Sequence, residues 1–267
     1  MDQAAAPFGS LLRHWRQLRR CSQLALALQA EVSSRHLSWL ETGKAQPSRA
    51  MVLRLAEQLD VPLRERNAML TAAGYAPLYA ERPLADPGLA VARDALQRLL
   101  NAHEPWPAMA VDRHWTLVAS NRMVPLLMAS AAPHLLQPPI NMLRMSLHPQ
   151  GLAPMVANIV AWREQVFARL QRQIAATGDP LLGQLLAELR ALPLPAGACA
   201  AASTVLPLDV AVPLTLHTPL GTLNFITTIT VFGAPHDVTV SELAVETLLP
   251  ADEATAAALR SLQASLT

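Results

Sequence analysis

The sequence predicts an all-α bundle of five short helices followed by an α+β domain with an antiparallel sheet. Three observations carry this expectation. Apolar residues recur at helical spacing, in pieces separated by turn signals, from Phe8 to Ala73; a stretch rich in proline and glycine follows at 74–88; beyond it, helical segments mix with runs that alternate apolar residues with Thr or Asn. With 267 residues the chain has room for two domains of ordinary size. The expected division is 1–73, a linker at 74–88, and 89–267.

In the first helix Leu11, Leu12, Trp15 and Leu18 form the inward stripe and Arg13, Arg16, Arg19 and Arg20 lie elsewhere on its surface. Ser22 is placed to cap a second helix, Gln23 to about Gln29, with Leu24, Ala27 and Leu28 inward. Ser33 caps a third, Ser34 to Leu40, which Gly43 ends as a left-handed residue. Pro47-Ser48 opens a fourth helix over Arg49–Leu59, and Pro62 a fifth that ends near Gly74. Past the linker come a helix over Leu89–Asn101 and two short strands, Ala108–Val111 and Thr116–Ser120. Helical pieces are expected at Asn121–Ala129, Gly151–Ala175 and Leu181–Ala191. Val210–Leu216 and Thr222–Phe232 flank Pro219-Leu220-Gly221 as a hairpin. A further strand falls near Val238–Val240 or Ala244–Leu248, and Asp252 caps a last helix to about Leu262.

Composition narrows the class. Charged residues make up 15% of the chain, against about 25% in an average domain, while 52% are hydrophobic and the mean hydropathy is +0.24. A disordered chain is excluded, and a membrane has to be considered. The longest charge-free stretches, 123–143, 145–162, 191–208 and 210–236, are each interrupted by proline, histidine or other polar residues, so none reads as a spanning helix. The start, MDQAAAPFGS, carries no apolar signal segment, and Cys21 and Cys199 have no cysteine neighbours. A reducing, cytoplasmic setting without membrane contact is the expectation.

Charge is unevenly distributed. Residues 1–80 hold ten basic and six acidic groups, a balance of +4, whereas the rest of the chain balances at −3. That asymmetry points to a nucleic-acid-facing N-terminal part. The second and third helices, with Ala30-Glu31-Val32 between them, have helix-turn-helix spacing, and the recognition helix of such a unit lies in the major groove of double-stranded DNA. Its exposed N-terminal side chains are Ser33, Ser34, Arg35 and His36. Arg35 suits a bidentate contact with guanine O6 and N7; the serines and His36 suit base edges or phosphates. Gln23, at the start of the second helix, and Lys44, just past the third, are expected at phosphate oxygens.

The run SQLALALQAEVSSRHLSWLETGKAQPSRAMVLRLAEQLDV resembles the XRE, or phage-repressor-type, helix-turn-helix over about residues 8–73. Its most specific element is Leu40-Glu41-Thr42-Gly43-Lys44 followed by Pro47-Ser48, and the resemblance implies a structural ion pair between Arg16 and Glu41. Trp39 departs from the family, which commonly has a polar residue there; contact with a thymine methyl and shielding of the helix both remain open for it. The segments AHEPWPAMAVDRHWTLVASN, PPINMLRMSLHPQGLAPMVANIVAWRE, TGDPLL and ITTITVFGAPHDVTVSELAVETLLPADEAT resemble the MmyB-like ligand-binding domain. That resemblance implies a PAS-like sheet flanked by helices, with a cavity for a small apolar molecule, a fatty-acid-like one among the candidates. The pairing of the two implies a bacterial one-component transcription regulator.

Candidate pocket residues are Met123, Leu127, Leu143, Met145, Met155, Ile159 and Trp162 on the helical side, with Phe225, Ile229 and Phe232 on the strand side. The surplus of flexible Met suits an adaptable apolar site, although the same residues describe an ordinary filled core. Arg144 and Arg163 are isolated charges in this tract, suited to anchoring a ligand carboxylate or to pairing with an acid such as Glu164 or Asp112. The eight histidines lack metal-ligand spacing, and His103, His114 and His148 fit roles in holding turns. Cys199, among alanines, reads as an inert small residue. Neither a nucleophile elbow nor a phosphate loop is present, so no catalytic residue, metal or cofactor is expected, with haem or flavin left to an absorbance spectrum. The expected protein is a DNA-binding homodimer that senses a small apolar ligand. Its rivals are a C-terminal domain that only dimerises and, last, an enzyme acting on a lipid-like substrate.

Overall fold

A computed structural model describes residues 6–195 and 213–265. Cys199 and the first residues of the hairpin strand expected from Val210 lie outside the described residues. By its internal packing the chain divides into two units: residues up to Arg82 with Gln173–Gly178 and Pro235–Ser241, and Pro83–Arg172 with Asp179–Ala234 and Glu242 onward.

The first unit is a bundle of α1 (Phe8–Leu18), α2 (Gln23–Gln29), α3 (Ser34–Glu41), α4 (Arg49–Gln58) and α5 (Leu63–Ala72). Serine caps set three of its boundaries: Ser22, Ser33 and Ser48 accept from the N–H of Ala25, His36 and Met51. Gly43, at φ +72°, turns the chain out of α3. Leu12, Trp15, Leu26, Leu37, Leu40, Val52, Leu55, Met69 and Leu70 fill the core. One expectation is corrected here. Leu24 and Leu28 are 71% and 79% exposed; Ala27 is buried as expected, and Leu26 points inward in place of the two leucines. In QLALALQA, Leu24 and Leu28, one turn apart, share one face and Leu26 and Ala30 share the opposite one, so the pattern offers two apolar faces and the bundle buries only one. Asn67 ties the chain after α5 back to the bundle, accepting from Leu78 N–H and Tyr79 N–H and donating to the Tyr79 carbonyl.

The second unit begins with α6 (Ala90–Ala102) and contains one antiparallel sheet. Its strands β1 (Ala108–Val111), β2 (Leu117–Ser120), β3 (Leu214–Thr218), β4 (Gly221–Val231) and β5 (Ala244–Pro250) lie in the order β2-β1-β5-β4-β3. The helices between are α7 (Met123–Met128), α8 (Met142–Leu147), α9 (Ile159–Thr177) and α10 (Pro180–Ala191). After β4 come α11 (Val238–Ser241), which belongs to the first unit, and, after β5, α12 (Glu253–Ala264). Two sequence expectations shift. The helix expected from Gly151 starts at Ile159, because Pro154 sits in a 3-10 turn and the Asn158 side chain is occupied with β3, donating to the Pro213 carbonyl and accepting from Thr215 N–H. Of the two places for a last strand, Ala244–Pro250 is the strand and Val238–Ser241 is helical, with Asp237 accepting from Thr239 N–H.

Register assigns the sheet faces. Val245 pairs with Ala110 and Thr230, and it packs with Leu96 and Leu100 of α6, so this face is covered by α6; Asn224, on the same side of β4, bonds Thr255 and Asp252 at the start of α12. The opposite, inner face carries Met109, Glu246, Leu248 and Phe225. Among the described residues no helix is long and apolar enough to cross a membrane.

Candidate DNA interface and ligand face

The helix-turn-helix is positioned from α1. Arg16 forks onto Glu41 with Nε–Oε1 2.6 Å and Nη2–Oε2 3.0 Å, and its Nη1 donates to the Cys21 carbonyl that precedes α2. Arg13 adds a longer contact, 3.5 Å from Oε2. The Glu41 side chain is fully buried. Burial alone would raise its pKa, but hydrogen bonds from Arg16 and Gln23, with the charges of Arg16 and Arg13, outweigh it and hold the carboxyl below its ordinary range. Arg16 is raised in turn, chiefly by its bond to Glu41. Helices α1, α2 and α3 therefore share one carboxylate.

This network uses a residue that the sequence placed at a phosphate. Gln23 donates its amide to Glu41 Oε2 at 2.8 Å, so its side chain is turned toward the clamp. The other expected residues sit on the surface of α3 or just beyond it. Ser33 accepts from His36 N–H at 3.1 Å as the cap; Ser34, Arg35 and Lys44 are exposed, and His36 is half-buried. Leu37 and Leu40 anchor the opposite side in the core. Trp39 is 39% exposed, and the Arg35 guanidinium carbon stands 4.6 Å from its ring centroid. A short helix with a capped N-terminus, an arginine and polar residues outward and leucines inward matches what a major groove admits.

In the second unit, Met123, Leu143, Met145, Ile159, Trp162 and Phe225 are buried, and Leu127 and Met155 are half-buried. The Trp162 indole donates to Ser146 Oγ at 2.7 Å, joining α9 to α8, and Val156 bridges Leu216 of β3, which brings the turn containing Met155 to the sheet. Two expected residues fall outside this group. Ile229 is 46% exposed, although alternation along β4 places it on the same face as Phe225. Phe232 packs with Leu84, Leu99 and Ala119 on the α6 side, since an odd separation from Phe225 places it on the other face.

The isolated arginines have partners. Arg144 forks onto Glu188 at 2.6 and 2.8 Å. Arg163 donates to the carbonyls of Leu192 and Arg190 and lies, like Arg190, against Phe167 at 5.2 and 5.6 Å; with Val160, Glu164, Leu192 and Leu194 these residues line a groove of about 510 Å³. His103 bonds the Leu99 carbonyl and His148 accepts from Gln150 N–H, both local braces, whereas His114 bonds Asp179 across 65 residues of sequence. Burial opposes the ionised form of Asp179, yet bonds from His114 and Leu181 hold its pKa down. No group of side chains suited to holding a metal occurs among the described residues.

The sequence reading missed the most buried charge pair of this unit. Arg169 on α9 meets Glu246 on the inner face at 2.7 Å, with side-chain exposures of 15% and 6%, and its guanidinium lies 4.2 Å from the centre of the Trp115 ring. The signal was present: Arg169 continues the Ile159–Trp162–Val166 stripe at helical spacing, and Glu246 interrupts an apolar strand between Val245 and Leu248.

Residues 92–262 match the family model described as the MmyB-like transcription regulator ligand binding domain. The chain belongs to the MmyB-like transcription regulators. Residues 7–69 of the regulator match a helix-turn-helix domain, so it pairs a DNA-binding domain with a ligand-binding domain, the architecture of a transcription regulator. A comparison with curated proteins gives no match.

Proposed function

We propose that this regulator binds pseudo-palindromic operator DNA as a homodimer and that a small apolar ligand, with fatty-acid-like molecules the first class to test, tunes that binding. In this reading the DNA-binding domain spans 1–73, a linker 74–88, and the ligand-binding and dimerisation domain 89–267. Helix α3 enters the major groove with Arg35 at a guanine, Ser33, Ser34 and His36 at base edges or phosphates, and Lys44 at the backbone. The single observation that supports it most is α3 itself, capped by Ser33, locked through Glu41 to α1, and presenting Arg35 on a surface free of acidic partners among the described residues. The ligand lies against the inner sheet face beside Phe225, Trp162 and Met145, and the chain acts in the cytoplasm without catalysing a reaction.

Selection from randomised duplexes at physiological salt tests the DNA half. The expected result is a two-fold motif with half-sites about one helical turn, roughly 34–36 Å, apart. Binding with no preference over random duplex would sink it. For the ligand half, gently purified protein is extracted with solvent and the extract analysed by mass spectrometry. A stoichiometric apolar compound is expected; protein that carries none, and whose melting temperature is unmoved by a panel of fatty acids, points to a domain that only dimerises.

A further inference from the structure

We propose that Trp39 is a positioning residue for operator recognition: its indole holds the Arg35 guanidinium in the orientation that reads a guanine, and so sets specificity at the base pair Arg35 contacts. The inference rests on the reading that α3 is the recognition helix, and four observations support it. Trp39 lies one turn beyond Arg35, and the guanidinium carbon is 4.6 Å from the ring centroid, within the range of a cation–π contact. The ring is not a core anchor. Its neighbours Leu37 and Leu40 are 0% and 1% exposed, whereas Trp39 is 39% exposed. No acidic side chain among the described residues meets Arg35, so the indole is the group that orders it. Finally, the Trp39 carbonyl accepts from Lys44 N–H at 2.8 Å and from Ala45 N–H at 3.3 Å, which fixes the backbone that carries the ring.

A guanidinium has two kinds of surface, its flat faces and the in-plane edge that carries its N–H donors. A guanidinium stacked on an indole uses its flat face and keeps its N–H donors directed outward in its own plane, and a bidentate contact with guanine O6 and N7 needs those in-plane donors. Stacking and base reading therefore proceed together. A free arginine has many rotamers to lose on docking; one already leaning on a ring has fewer, and those that remain share a plane. A polar side chain at position 39 would offer a hydrogen bond but no flat apolar surface for the guanidinium. This also explains an exposed tryptophan on a helix that meets a charged, hydrated partner.

The test is selection and competition binding with five full-length proteins: wild type, Arg35→Ala, Trp39→Leu, Trp39→Phe and the double variant Arg35→Ala/Trp39→Leu, which closes the cycle. Arg35→Ala should erase the preference for guanine at one base pair of each half-site. Trp39→Leu should reduce discrimination at that same base pair about two- to fivefold, the scale of an exposed cation–π contact, while Trp39→Phe keeps most of it. In the double variant the Trp39 change should add nothing further. Because Trp39 lies outside the core, thermal melting of Trp39→Leu should match wild type. The proposal is overturned if Trp39→Leu weakens binding equally on all sequences, if it alters preference at a different base pair, or if its effect adds fully to that of Arg35→Ala. If Arg35→Ala itself leaves the preference unchanged, the recognition-helix reading fails along with it; if only the Trp39 variants are silent, that reading stands and the positioning role falls.

Discussion

At the scale of single residues, the regulator concentrates its electrostatic commitment in two places, Glu41 and Glu246, and the first predicts a measurable loss. Replacing Arg16 with Ala leaves Glu41 buried with only Gln23 and the longer 3.5 Å contact to Arg13, and breaking such a pair costs about 3–5 kcal/mol. Thermal unfolding of the Arg16→Ala protein should show the helix-turn-helix bundle melting far below wild type. The pH dependence follows from the lowered pKa of Glu41: its contribution is complete above the ordinary glutamate range near 4.5 and is lost as pH falls toward the depressed folded value. Glu41→Gln should therefore unfold more easily at neutral pH yet lose less stability on acidification. The Arg16–Glu41 pair was readable only through the family resemblance, since 25 residues separate its members and nothing local links them. The bond from Gln23 to Glu41 was not legible for the same reason, its partner lying 18 residues away. Arg169 and Glu246 could have been found as charges on buried stripes, but only the fold brings them together.

At the scale of elements, boundaries set by caps and glycines were legible and the choice of buried face was not. Ser22, Ser33, Ser48 and Asp252 each cap the helix that the sequence assigns to them, because a cap is a contact over three residues. Helix α2 shows the limit: its leucines fall on two faces, and neighbours distant in sequence decide which is buried. Leu26→Ala should cost about 2–5 kcal/mol in chemical denaturation, whereas Leu24→Ala should stay within about 0.5 kcal/mol of wild type. Strand β4 repeats the lesson in another period. The expected pocket grouped Phe232 with Phe225 and Ile229, whereas alternation separates it from both, and the exposure of Ile229 follows from no local signal.

At the scale of the whole molecule, DNA and ligand should be thermodynamically linked. If ligand changes operator affinity by some factor, operator must change ligand affinity by the same factor, so titrating ligand with and without operator duplex should give matching shifts. Lys44→Ala should weaken binding on every sequence alike and reduce the slope of log affinity against log salt by about 1, unlike Arg35→Ala, which acts on one base pair. The carboxylate shared by α1, α2 and α3 bears on how such regulation is achieved. With Arg16 and Gln23 both closed on Glu41, the reading head arrives at DNA as a rigid body, its internal freedom already surrendered during folding. A stiff reading head is a poor target for remodelling. In the proposed homodimer, what remains adjustable is the spacing and phase of two such heads along the double helix, so the response to ligand is expected as a change in the preferred half-site separation, with the base sequence of each half-site unaltered.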